Sequence, residues 1–146
     1  NAKVEAYASE HEAVSRLVNI PGIGALGATA LVAAAGDGRQ FRKARDLAAW
    51  LGLVPAEHST GGKQTLLGIS KRGDKHLRQL LVQCSRVYMQ RLDHQKGALA
   101  DWVKTLLSRR HSNVVACALA NKLARIAWAI AARHTQYEAG PDALNA

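Results

Sequence analysis

From Asn113 to His134 the chain reads as a single helix that is apolar nearly all the way round, with alanine at most positions that Leu, Ile or Val do not occupy. A helix without a wet face has to be buried on several sides. That requirement calls for other helices around it and makes this segment the central strut of a bundle. Its most apolar stretch, Val114 to Ala132, is interrupted by Asn121, Lys122 and Arg125, which argues against a membrane span. The composition agrees with helix: alanine occurs 27 times, aromatic residues make up 5%, and Ala and Leu outweigh the β-branched residues. The length of 146 residues suits one domain, and 48% hydrophobic residues suffice for one sizeable core and exclude disorder. Two cysteines, Cys84 and Cys117, do not make a disulfide framework. No signal peptide is visible. The opening Asn1-Ala2, without Met, reads as a tag remnant, and Glu138–Ala146 reads as a flexible tail.

The rest of the chain supplies the surrounding helices. Residues 3–18 form a first helix, with Val14, Leu17 and Val18 on one side. The run Asn19-Ile20-Pro21-Gly22-Ile23-Gly24 breaks it, and a second helix runs from about Ala25 to Ala35 before Gly36-Asp37-Gly38. A small helix at about Ala44–Leu51 cannot continue through Pro55. Residues 55–71 are dense in Gly, Ser and Thr without helical period. They read as a long irregular loop that can hold a short hairpin about Gly61-Gly62. Leu77, Leu80, Leu81, Cys84, Tyr88 and Leu92 then recur at three- and four-residue spacing, which predicts a helix over about 72–92. Another follows at 97–108, and Ser112-Asn113 offers a cap for the last.

Lys and Arg number 20 against 11 Asp and Glu, a formal charge of +9, which argues for a polyanionic partner. The charge is unevenly placed. From Lys63 to Arg91 there are seven Lys or Arg and one acid, Asp74, and Lys71, Lys75, Arg78 and Arg86 fall on the wheel face opposite the leucines. A solvated face normally mixes signs, so this one points to phosphate contact. The Ile20-Pro21-Gly22-Ile23-Gly24 run between two helices resembles a helix–hairpin–helix element over 10–36, whose turn, with Gly22 and Gly24, presents backbone N–H groups to a DNA phosphate. Ser59 and Thr60 precede paired glycines and Lys63. A hydroxyl there can attack phosphorus if its proton is removed and the developing charge is neutralised, for which Lys63, Lys71 and Arg72 are at hand. On residue types alone, a turn in which Ser59 and Thr60 cap local amides is the stronger reading. The six histidines are scattered, no Cys/His spacing suits zinc, and the acids show no cluster of the kind a metal-dependent nuclease uses.

Several segments together resemble one family. They are Ile20–Gly24, Phe41 with Leu47–Pro55, His58-Ser59-Thr60-Gly61-Gly62-Lys63, Gly68-Ile69-Ser70-Lys71-Arg72-Gly73-Asp74-Lys75-His76-Leu77-Arg78, and Asn113 to Trp128. Their order and content resemble the C-terminal transposase domain of the insertion-sequence one-ten and eleven-eleven family, to which Piv-type DNA invertases are related. The resemblance covers roughly residues 15–135 and is most specific from His58 to Arg78.

The resemblance implies an enzyme that pairs this domain with an N-terminal RuvC-like domain outside this chain, where acidic residues hold Mg2+. It implies no cofactor and no metal in this chain itself. It implies that the family's serine, which matches Ser59, becomes joined to DNA during transesterification, and that a structured guide RNA directs the recombination. The expectation is therefore an all-α helical bundle over 3–137, with a helix–hairpin–helix-like element at 10–36, a catalytic Ser/Gly loop at 55–71 and a bundle at 72–134. Ser59 is the expected nucleophile. Gly22, Gly24, Lys63, Lys71, Arg72, Lys75, Arg78 and Arg86 are the expected nucleic-acid contacts. The expected setting is the bacterial cytoplasm at the nucleoid, with DNA and guide RNA as partners, no membrane, a homo-oligomer in the full-length protein, and no activity in the fragment alone. The rival expectation is a non-catalytic helix–hairpin–helix DNA-binding or oligomerisation module.

Overall fold

The structure, a computed structural model, describes residues 2–36, 38–60, 63–69, 74–133, 135, 137 and 138. Six helices dominate it: α1 (Ala2–Leu17), α2 (Ala25–Ala35), α3 (Ala44–Trp50), α4 (Lys75–Gln90), α5 (Ala98–Leu107) and α6 (Ser112–Arg133). Between α3 and α4 lies one two-stranded antiparallel hairpin, β1 (Pro55–Thr60) and β2 (Lys63–Ile69). A 3-10 turn, Leu92–His94, follows α4. The all-α expectation holds for the bundle. The expected tail at 138–146, apart from Glu138, and the residues Gly61, Gly62, Ser70, Lys71, Arg72 and Gly73 lie outside the described residues.

The apolar circumference of α6 has the predicted consequence. Val115, Leu119, Leu123, Ile126 and Ile130 are buried, as are Ala116, Ala120, Ala124 and Ala127 between them. Helices α1, α3, α4 and α5 pack around α6, while α2 closes the bundle against α1 and α4. The many alanines matter here because a small side chain lets several neighbours approach one helix closely. Each fully buried Leu or Ile contributes about 1.5–3 kcal/mol relative to exposure, so this one helix supplies much of the core. By length and composition α6 would also pass as a membrane span, but most of it is enclosed by the other helices.

The ends of the elements follow local chemistry. Asp74 caps α4, its Oδ1 accepting from the backbone N–H of Leu77 at 2.9 Å. Asp74→Ala is expected to lower stability by about 1 kcal/mol, measured by urea unfolding; an unchanged midpoint would mean that the cap is replaced by water. The cap of α6 is supplied not by Ser112-Asn113 but by His111, whose Nδ1 accepts from the Asn113 N–H at 3.0 Å. Ser112 is instead the first residue of the helix. Helix α3 ends in a Schellman arrangement: the Leu53 N–H donates to Ala48 O and the Gly52 N–H to Ala49 O, with Gly52 at φ +74. Leu53 is buried beneath it, and Pro55 begins the hairpin.

The segment expected as a long irregular loop that can hold a short hairpin about Gly61-Gly62 is strand-paired over most of its length. It pairs as a hairpin, with Thr60 opposite Lys63, Ser59 opposite Gln64 and His58 opposite Thr65. Pairing satisfies backbone groups that an irregular loop would leave to water. The register leaves the two glycines as a two-residue connection, the length that most favours hairpins. An irregularity between Pro55 and Glu57 places an extra residue on β2, between Leu66 and Ile69.

Candidate functional site

The hairpin leaves the bundle between α3 and α4. Its two strands contact chiefly each other, and among the described residues no helix packs broadly on them. Its root is held firmly. The carbonyls of Leu51 and Leu53, left over at the end of α3, receive side-chain donors from two other helices. Arg78 of α4 donates through Nη1 to Leu51 O at 3.4 Å, and Asn121 of α6 donates through Nδ2 to Leu53 O at 3.0 Å. A cation is favourable at this carboxyl end of a helix dipole. Ser59 therefore stands one residue from the end of an antiparallel arm whose base is fixed to the bundle, and Lys63 opens the returning strand.

The basic face of α4 divides once it is seen in three dimensions. Lys75 is exposed at the first turn. Arg78 is only 8% exposed and serves the α3 terminus. Arg86 is half-buried and donates to the Asn113 side chain at 3.1 Å, tying α4 to the start of α6. Lys71 and Arg72 lie outside the described residues. Sequence periodicity gave all four cations of that wheel face one role, phosphate contact; folding gives Arg78 and Arg86 an acceptor within the chain.

The turn at 18–24 joins two helices as its sequence requires. The Ile23 N–H donates to Ile20 O at 3.0 Å, and Ile20 and Ile23 are both buried. Gly22, at φ +86, backs onto the backbone of α4 at Cys84. Gly24 precedes α2, and its backbone N–H interacts with the Cys84 thiol, whose pKa burial pushes up and this hydrogen bond partly restores. The described contacts of both glycines are thus within the bundle.

Sequence reasoning passed over a second basic group. On α6, Arg125 acts electrostatically on Lys122, and Arg45 of α3 acts on Arg125. Burial first, and then Arg125, lowers the Lys122 pKa; burial first, and then Arg45, lowers that of Arg125. The interruption of an apolar helix by Lys122 and Arg125 was the available signal. Among the described residues, no group of three His, Cys, Asp or Glu is arranged to hold a metal ion.

The family described as Transposase IS116/IS110/IS902 matches residues 14–100, from the end of α1 through the hairpin and α4 into α5. The chain belongs to this family of transposases. It is 58% identical over 131 residues to the transposase for insertion sequence element IS1328 of Yersinia enterocolitica, covering 90% of this chain and 39% of that protein. It is 49% identical over 138 residues to a probable family 20 transposase of Pseudomonas aeruginosa, covering 94% and 41%. It is 41% identical over 138 residues to the transposase for insertion sequence element IS1111A of Coxiella burnetii, covering 94% and 38%. The chain thus spans about two-fifths of the length of these curated relatives, and the expected resemblance to the one-ten and eleven-eleven family is met.

Proposed function

We propose that this chain is the nucleic-acid-binding, nucleophile-bearing part of an insertion-sequence transposase, and that Ser59 attacks a DNA phosphate. The observation that carries the reading is the anchored hairpin: Ser59 sits one residue from the end of β1, in an arm whose two strands pair with each other, while Arg78 and Asn121 fix its root. Such an arm can enter a DNA-containing site without unfolding the bundle. Lys63 on the returning strand, with Lys71 and Arg72 beyond it in sequence, brings positive charge to a phosphate whose negative charge rises during attack. In the step, Ser59 Oγ loses its proton and forms a bond to phosphorus. The bond from phosphorus to the leaving sugar oxygen breaks, and that oxygen takes up a proton. The phosphodiester energy is kept in the serine–DNA ester, so rejoining needs no nucleotide cofactor.

The described residues do not fit a metal ion, so no step here runs through one. Metal ligands, a guide RNA site and the rest of the catalytic machinery belong to regions of the longer protein, and this chain alone is inactive. The same reading takes the full-length enzyme as a homo-oligomer in the bacterial cytoplasm. A direct test is binding of a labelled DNA duplex by this chain as salt is raised. Affinity should fall steeply, and Lys75→Gln should reduce the log–log slope by about one unit. Arg78→Gln should leave the slope in place and lower stability by about 1–2 kcal/mol through loss of its buried hydrogen bond. Binding insensitive to salt would end the nucleic-acid reading.

A further inference from the structure

The proposed function leaves a basic run ahead of α3 unused. From Arg39 to Trp50 the chain carries four Lys or Arg and one acid, Asp46. Asp46 sits in the first turn of α3, where a negative charge favours the helix. Arg42 and Lys43 are exposed, and among the described residues neither forms an ion pair. Phe41, next to them in the chain, is half-buried against the core. Trp50, the last residue of α3, sets its ring 5.5 Å from that of Phe41, centroid to centroid, with 54° between the planes. Trp50 is nonetheless 38% exposed. The other two tryptophans are engaged within the bundle: Trp128 donates through Nε1 to Gly38 O at 3.0 Å, and Trp102 lies 5.4 Å beneath Lys122 Nζ.

A single exposed apolar side chain is ordinary on a protein surface. Here the exposed group is a tryptophan braced by a second ring, and the residues after that second ring are cations without a carboxylate partner. An aromatic face takes a nucleotide base by stacking, whatever the base, and cations alongside take the phosphates. In a duplex the bases stack on one another and offer no free face, so this pairing of ring and charge suits an unpaired strand. An apolar protein segment would use the ring and leave the cations idle.

We propose that Phe41, Trp50, Arg42 and Lys43 form a stacking platform for an unpaired DNA strand, with a base on Trp50 and neighbouring phosphates on Arg42 and Lys43. The chain's charge of +9 favours a polyanion, and breaking a DNA strand, as the reaction above requires, frees an end that can unpair. The platform adjoins the hairpin. Leu51, next to Trp50, supplies the carbonyl that Arg78 holds at the hairpin root. Strand β1 begins at Pro55, and Ser59 is about 13 Å farther along it. A base on Trp50 therefore brings its strand to the foot of the arm that carries Ser59. The inference rests on the nucleic-acid reading above and adds to it the form of DNA that is held.

The test titrates this chain with oligo-dT of about 12 nucleotides and, separately, with a DNA duplex, and follows tryptophan emission and affinity. Oligo-dT should quench the emission, and Trp50→Phe should lose most of the quenching while still binding. Trp50→Leu keeps apolar bulk but has no aromatic face. It should weaken oligo-dT binding by at least about fivefold and leave duplex binding unchanged. Arg42→Gln and Lys43→Gln should each reduce the log–log salt slope for oligo-dT by about 0.7 unit. Both residues are exposed, so these two variants and the quenching read the platform even if Trp50→Leu is poorly folded. Absent quenching with unchanged slopes would then overturn it. Equal oligo-dT affinity for Trp50→Leu and the unchanged chain, with duplex binding intact, would overturn the platform and leave the nucleic-acid reading standing. Equal losses in folded Trp50→Leu and Trp50→Phe would also overturn it, because the contact would not be stacking. Binding of oligo-U RNA without binding of oligo-dT would overturn it in favour of RNA. If the unchanged chain binds neither single strand nor duplex, the broader reading fails first, and the platform fails with it.

Discussion

Replacing Ser59 by alanine in the full-length transposase is expected to abolish the covalent protein–DNA intermediate while DNA binding stays within about twofold. The substitution removes only the oxygen that must attack phosphorus. Lys75, the exposed cation of the proposed contact face, is untouched, and the backbone pairing of Ser59 with Gln64 is kept because alanine retains the same main chain. Loss of the nucleophile typically lowers turnover by orders of magnitude, because the remaining groups can bind and polarise the phosphate but cannot form the ester. Ser59→Cys should restore at most a trace, since a thiolate is nucleophilic but is longer and poorly matched to phosphorus. The measurement is trapping on a nicked suicide substrate, followed by mapping of the modified peptide. An adduct on Thr60 or Ser70, or one that still forms in Ser59→Ala, would return the segment to a structural turn.

The sequence revealed the bundle far better than the site, for a physical reason. The apolar circumference of α6 and the three- and four-residue recurrence along α4 are one-dimensional records of burial, so the helix positions and the central place of α6 could be read directly. The hairpin was only partly legible. Residues 55–69 carry turn chemistry at Gly61-Gly62, but their pairing depends on contacts between strands, and sequence showed no clear period-two pattern to announce it. Arg78 and Arg86 were indistinguishable from Lys75 on a wheel. Their acceptors are Leu51 O, 27 residues away, and Asn113 Oδ1, also 27 residues away, and such partners exist only after folding. Lys122 and Arg125 interrupt the apolar run in the sequence, but only the packing of α5 onto α6 brings Trp102 beside Lys122. The identity of Ser59 as the expected nucleophile came from resemblance, because a serine before two glycines is chemically ordinary.

Gly22→Ala is expected to be the most damaging single change in the turn between α1 and α2, at about 2–4 kcal/mol, by the combined cost of backbone strain and forced displacement. Gly22 sits at φ +86, a conformation that side chains rarely adopt, and an added Cβ would lie 3.0 Å from the backbone oxygen of Cys84 and 3.2 Å from Cβ of Tyr88. Neither neighbour can move easily. The Cys84 carbonyl belongs to the backbone of α4, and Tyr88 is 2% exposed within the core, where burial, followed by the nearby Tyr137 and Asp101, pushes its phenol pKa up to about 12. The turn must therefore retreat from α4, exposing Ile20 and Ile23. Gly24→Ala provides the internal comparison. Gly24 has φ −84, and a Cβ added there would meet nothing within 4 Å, so its change should cost about 1 kcal/mol or less. Urea unfolding of the two variants separates the explanations. A large loss at Gly22 with little at Gly24 means that the glycine is required by close approach to α4. Equal small losses would mean that the turn is held loosely, and the packing account of this helix–turn–helix segment would be wrong.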